Sequence, residues 1–138
     1  MRIILDTNIW ISFLIGHRLS EIRTIVTDER FEVFVCPQLM GEIVDVASRD
    51  KIQRYIPSTD VSDLLRIIRA FCHSVELKAN AVSIIRDPKD LYLLSLAETI
   101  EAAYIISGDA DLTTLRKHGN TRIITLAEFK ETVNQQGK

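Results

Sequence analysis

A chain of 138 residues falls within the size of one domain and leaves little room for a second core. Hydrophobic residues at 46% and charged residues at 26% are ordinary globular values, which exclude a disordered or low-complexity chain. Seventeen Lys+Arg against nineteen Asp+Glu give a formal net charge of -2, so nucleic acid is not held by bulk positive charge and only a local basic rim is open to it.

Residues 3–5 form an apolar run closed by Asp6-Thr7-Asn8 and predict a buried strand. Asp6 and Asn8 interrupt this run before the apolar core of a signal peptide develops, and no stretch approaches the ~18 apolar residues of a membrane span. Helical spacing follows over 8–15 and 20–27, then a Val/Phe-rich strand over 32–36 stopped by Pro37. Helices are predicted over 38–48 and 59–72, a weaker strand over 75–77, a helix over 91–102, and a strand over 104–106 closed by Ser107-Gly108-Asp109. A short helix over 111–117, a strand over 122–124 and a helix over 127–135 complete the chain. Cys36 and Cys72, each flanked by core-type residues, read as reduced buried thiols, and a cytoplasmic protein is expected.

Strands alternating with helices, nearly continuous apolar strands and few hairpin signals specify an α/β protein. The expected architecture is a three-layer α/β/α sandwich on a four- to five-stranded parallel sheet, formed by a single domain over 1–138. There is no internal repeat and no linker. No glycine-rich nucleotide turn or P-loop follows any strand, and Asp6-Thr7-Asn8-Ile9-Trp10 lacks the second Asp and the Thr of an aspartyl phosphatase.

In an open parallel sheet, ligands bind beyond the carboxyl ends of the strands. Asp6 follows the first strand, Asp109 the fourth, and Asp87 and Asp90 stand at the entry to the 91–102 helix. Glu42 lies about 40° outside the apolar arc of its helix, by the 100° advance per residue, within reach of the sheet edge. Each acid alone reads as a helix cap or a solvated residue. Together they would repel one another unless a cation neutralised them. An all-oxygen set suits Mg²⁺ or Mn²⁺ and not zinc, because His17, His73 and His118 show no ligand spacing with either cysteine. Such a site activates water and stabilises a phosphoryl transition state, so phosphodiester hydrolysis is the simplest chemistry it serves.

The stretches Ile-Ile-Leu-Asp-Thr-Asn at 3–8, the Glu42 helix, Asp87-Pro88-Lys89-Asp90 and Ile-Ile-Ser-Gly-Asp-Ala-Asp-Leu at 105–112 together resemble the PIN-domain nucleases, in particular bacterial toxin components of toxin-antitoxin pairs. The resemblance runs nearly end to end. It implies that Asp6, Glu42, Asp90 and Asp109 bind one or two Mg²⁺ or Mn²⁺ ions, supported by Asn8 and Ser107. Asp87 is then mainly a helix cap, and Asp111 is either a water-mediated ligand or a cap. Ser107 stands where many relatives have Thr, and Leu91 where many have Asn. The family further implies a ribonuclease, a homodimer and a small antitoxin partner. An inactive scaffold that binds RNA or protein is the alternative. Arg86, Lys89, Arg116, Lys117, Arg49 and Lys51 are the candidates for holding RNA phosphates. Trp10 and Phe13, at helical spacing, read as core or a dimer face, with Tyr55 and Tyr92 the other aromatics for base stacking.

Overall fold

The computed structural model describes residues 1–77 and 88–136, with side chains described for 1–77 and 91–135. Its strands are β1 (Arg2–Leu5), β2 (Glu32–Val35), β3 (His73–Ser74), β4 (Tyr104–Ile106), β5 (Lys117–His118) and β6 (Thr121–Ile124). The helices are α1 (Thr7–Ile15), α2 (Leu19–Thr27), α3 (Pro37–Ala47), α4 (Asp50–Gln53), α5 (Ser58–Phe71), α6 (Pro88–Ile100), α7 (Ala110–Thr113) and α8 (Leu126–Gln136). The strands form one six-stranded sheet in the order β3-β2-β1-β4-β6-β5. Five are parallel, and β5 pairs antiparallel with β6.

The order of the strands positions the site. From β1 the chain winds outward through β2 to β3, then crosses back to β4 and winds the other way to β6. Right-handed crossovers running in opposite directions put helices on both faces, which completes the three-layer sandwich. They also leave a switch point between β1 and β4, where the crevice beyond the strand ends opens. The register there is Ile3 to Tyr104, Ile4 to Ile105 and Leu5 to Ile106, so Asp6 and Ser107 emerge as neighbours.

The core explains why these segments become strands. Ile3, Ile4, Leu5, Ile105 and Ile106 are fully buried, as the absence of hydrophobic-polar alternation in the central strands predicts. Trp10 and Phe13 of α1 are buried against them, and the Trp10 Nε1–H donates to the Leu5 carbonyl at 2.9 Å, which satisfies its polar edge inside the core. These two residues are core, not base-stacking surfaces. Cys36 and Cys72 are both free, and burial pushes the Cys72 thiol up to about 12.

Two predicted elements are displaced. The third strand is His73–Ser74 and not 75–77. It pairs with Phe34 and Val35 of β2, and the stacking of Phe34 on the His73 ring at 4.9 Å sets that register two residues early. The 111–117 helix stops at Thr113, because Arg116 turns to φ +60 and delivers Lys117–His118 as the antiparallel edge strand. The sheet therefore has one strand more than the four to five expected, and that strand is not parallel. The short α4 over Asp50–Gln53 has no counterpart in the sequence reading.

Candidate active site

Asp6 is the first residue beyond β1 and the N-cap of α1, its Oδ1 accepting the Thr7 N–H at 2.7 Å. Its backbone N–H still belongs to the sheet, donating to the Ile106 carbonyl at 2.9 Å. The side chain is only 6% exposed. Oδ2 accepts the Ser107 hydroxyl at 2.8 Å, and the same Ser107 Oγ accepts the Asp109 N–H at 3.0 Å. Asp109 in turn caps α7, its Oδ1 accepting the Asp111 N–H at 2.9 Å. One chain of hydrogen bonds thus ties the ends of β1 and β4 together. Capping and convergence occur at the same residues, because an N-cap side chain at a strand-to-helix turn sits at the carboxyl edge of the sheet.

Glu42 lies half-buried on α3. Its Oε2 accepts the Tyr92 hydroxyl at 2.6 Å, and that hydroxyl lies 3.4 Å from Thr7 Oγ1. Tyr92 from α6 therefore bridges α3 to the start of α1. Burial first, and then the bond to Glu42, pushes the phenol well above its ordinary value, so Tyr92 is the proton donor in this contact. Sequence reasoning placed Tyr92 among aromatics for stacking and passed over Thr7, which is almost completely buried; their link to Glu42 had no signal in residue spacing.

The electrostatics follow from this packing. Burial raises the Asp6 carboxyl above its ordinary value, its hydrogen bonds to Ser107 and Thr7 oppose that rise, and the charges of Glu42 and Asp109 add to it. Asp6 thus feels both other acids. Among the described residues no ion pair involves Asp6, Glu42 or Asp109. The oxygen-only donors suit a hard divalent cation. As they stand, no three His, Cys, Asp or Glu side chains among the described residues are gathered closely enough to hold a metal.

The remaining sequence candidates are distributed as follows. Asp90 lies in the first turn of α6, which begins at Pro88; its side chain and that of Lys89 are outside the described set, as are residues Asp87 and Arg86 altogether. Asn8 is exposed at the second position of α1, and Asp111 is exposed in the first turn of α7, where Asp109 holds the cap. Arg116 and Lys117 are exposed beside β6. Arg49 pairs with Asp45 at 3.1 Å, and Lys51 is exposed on α4. The three histidines face Asp60, Glu32 and Glu98, none of which is a candidate site acid.

A family model described as PIN domain matches residues 2–111, which spans β1 through the first half of α7. The chain belongs to the PIN domain family. Among solved structures, the PIN domain described here is similar to a chain of VapBC2 from Rickettsia felis bound to a DNA fragment from their promoter. That likeness covers 89% of this chain and 97% of the other, with a TM-score of 0.59 at 14% identity, and it concerns the fold. No curated protein sequence matches this chain.

Proposed function

We propose that this PIN domain is a Mg²⁺- or Mn²⁺-dependent endoribonuclease and the toxin component of a toxin-antitoxin pair. The observation that carries the proposal is the carboxylate centre at the β1/β4 switch point, where buried Asp6 feels Glu42 and Asp109 and no cationic side chain among the described residues pairs with any of them. PIN domains are generally nucleases that use divalent metals, and this chain has oxygen donors where such an ion is needed. Asp6, Glu42, Asp109 and, from the first turn of α6, Asp90 would hold one or two ions. When bound, the ion supplies an activated water and stabilises negative charge on the phosphoryl group. The chain's own part is to aim the carboxylates. Ser107 and the Thr7 N–H fix both oxygens of Asp6, and Tyr92 fixes Glu42. Asn8 offers an exposed amide at the rim, and Asp111 a further carboxylate.

The test is cleavage of single-stranded RNA by the purified chain. Activity should vanish in EDTA and return with Mn²⁺. Wild-type cleavage by both Asp6→Asn and Asp109→Asn would overturn the site assignment. The toxin role and its antitoxin partner draw support from the VapBC2 likeness, whereas the homodimer rests on the family resemblance alone. Expression should arrest growth of a bacterial host, and a small protein encoded beside the gene should relieve the arrest; harmless expression of active enzyme would refute it.

One observation favours a second reading, a PIN scaffold that grips RNA or a protein without cutting: the described acids do not stand close enough to hold a metal. Binding of RNA or of a protein with no turnover of any RNA, whether or not calorimetry detects Mn²⁺ binding, would select that reading.

A further inference from the structure

The β5–β6 hairpin carries charges that the fold does not need. Lys117 and Arg122 are direct partners across the antiparallel pair, where like charges facing each other weaken a sheet. Arg116 beside them sits at φ +60, a left-handed backbone that strains a residue with a Cβ. The two-residue turn is Gly119-Asn120, with Gly119 at φ +59, so the hairpin closes through its glycine and not through these side chains. All three cations are exposed, and no ion pair among the described residues involves them. Arg122 lies 5.9 Å from the centre of the Tyr104 ring, which steadies the guanidinium without neutralising it. Arg49, by contrast, already has Asp45.

These cations line a cleft of about 780 Å³ together with Thr113, Thr114, Thr125 and Glu128. Glu128 is the one acid in that lining; its Oε1 accepts the Thr125 N–H at 3.1 Å at the start of α8, and the bonds to Thr125, with smaller help from the charges of Arg116 and Arg122, hold its carboxyl below its ordinary value, so one carboxylate faces three cations. The cleft adjoins the carboxylate centre through two elements. Thr113 closes α7, whose first turn is capped by Asp109, a separation of roughly 6 Å along the helix axis. Ile124, another lining residue, accepts the Ser107 N–H at 2.9 Å. The hairpin lies beyond the span matched by the family model, which ends at residue 111.

We propose that this cleft binds backbone phosphates of the substrate RNA beside the cutting centre, with Arg116, Lys117 and Arg122 as the gripping residues. Its substrate rests on the ribonuclease reading above. A polyanion approaching a group of carboxylates is repelled, and a flanking cationic cleft within one helical turn supplies the compensating attraction. The repulsion between the facing like charges is relieved when phosphates sit between them.

The experiment measures binding of a labelled single-stranded RNA to the full chain in EDTA across a salt series, then Mn²⁺-supported cleavage. Replacing Lys117 and Arg122 by Gln should weaken binding about fourfold per cation at ~0.15 M salt and make the log-log salt slope shallower by about 0.7 per cation. KM should rise in parallel while kcat stays within about twofold. Thermal stability should hold or rise, since a like-charge pair is lost. Arg116→Gly, which suits the left-handed backbone, should raise stability and still lose about fourfold in affinity. Unchanged affinity and slope in both variants, or no RNA binding by the wild-type chain, would overturn the proposal. Tighter binding of single-stranded DNA than of RNA through the same cations, or hairpin-dependent binding of an acidic peptide in place of RNA, would overturn the assignment to RNA. Cleavage that persists with unaltered KM sinks the cleft and leaves the nuclease standing, whereas hairpin-dependent binding without cleavage does the reverse.

Discussion

The two ends of the sheet treat carboxylates in opposite ways. Ahead of β2, Asp28 receives the Arg30 backbone N–H at 3.0 Å, its Nε at 3.1 Å and its Nη2 at 2.7 Å, and the Arg30 side chain holds the Asp28 carboxyl below its ordinary value. Arg30 also donates to the Val133 carbonyl of α8 at 3.1 Å, and Lys130 reaches Glu21 at 3.5 Å nearby. At the other end, Asp6 has no cation among the described residues and its carboxyl is raised, chiefly by burial. Where charge serves the fold, this chain supplies a partner a few residues away. At the switch point no cation among the described residues pairs with Asp6, and its charge stands beside those of Glu42 and Asp109.

The sharpest way to separate the two ends is catalytic. Asp6→Asn and Asp109→Asn should each lower RNA cleavage at least about 10²-fold, since even outer partners of metal ligands cost 10–100-fold, with unchanged circular dichroism. Asp28→Asn should leave turnover intact. Metal is the next lever. Mn²⁺ at ~100 times its Kd should stabilise the wild-type chain by about 2.7 kcal/mol, seen as a rise in Tm, and Asp6→Asn should abolish the rise. A Tm indifferent to Mn²⁺ would argue that the acids are merely caps.

Smaller effects probe what holds the site. Tyr92→Phe preserves packing and removes the donor to Glu42, so it should cost about 1 kcal/mol in stability and roughly tenfold in Mn²⁺ affinity. Intact Mn²⁺ affinity would show that Glu42 needs no such aim. Smallest is a contrast of sign in the metal-free protein at pH 7, read by urea denaturation. Asp28→Asn should lower stability by about 0.5–1 kcal/mol, whereas Asp6→Asn should raise it, because a buried carboxylate beside two others is relieved. The pH dependence follows from linkage. The lowered Asp28 carboxyl contributes stability above its unfolded value of ~3.9, lost as pH falls through its folded value. The raised Asp6 carboxyl works the other way: stability falls as pH rises from the ordinary value through the raised one, so mild acidification relieves Asp6 first.

Much of this was legible in the residues. Ile3, Ile4 and Leu5 announce a strand buried on both faces, Asp6 follows where a parallel strand ends, and Pro88 opens α6 as a proline at a first helical position does. What was not legible was short or long-range. Residues 73–74 and 117–118 carry no apolar run and became strands only because β2 and β6 offered free edges. Arg116 looked like the continuation of a helix, and only its left-handed backbone reveals the turn into β5. Glu42 was placed near the apolar arc of α3, but nothing in its helix names Tyr92, 50 residues away, as the group that holds it.

By itself the sequence determined the class of fold and which acids follow strands, because burial pattern and strand-end position are local properties written in consecutive residues. Tertiary structure alone decided that Asp6, Ser107 and Asp109 share one hydrogen-bond chain and that Tyr92 spans Glu42 and Thr7. It also decided that Lys117 and Arg122 face each other across a hairpin. Those outcomes depend on register between strands and on crossover direction, and each contact there joins residues whose separation along the chain carries no periodic signal.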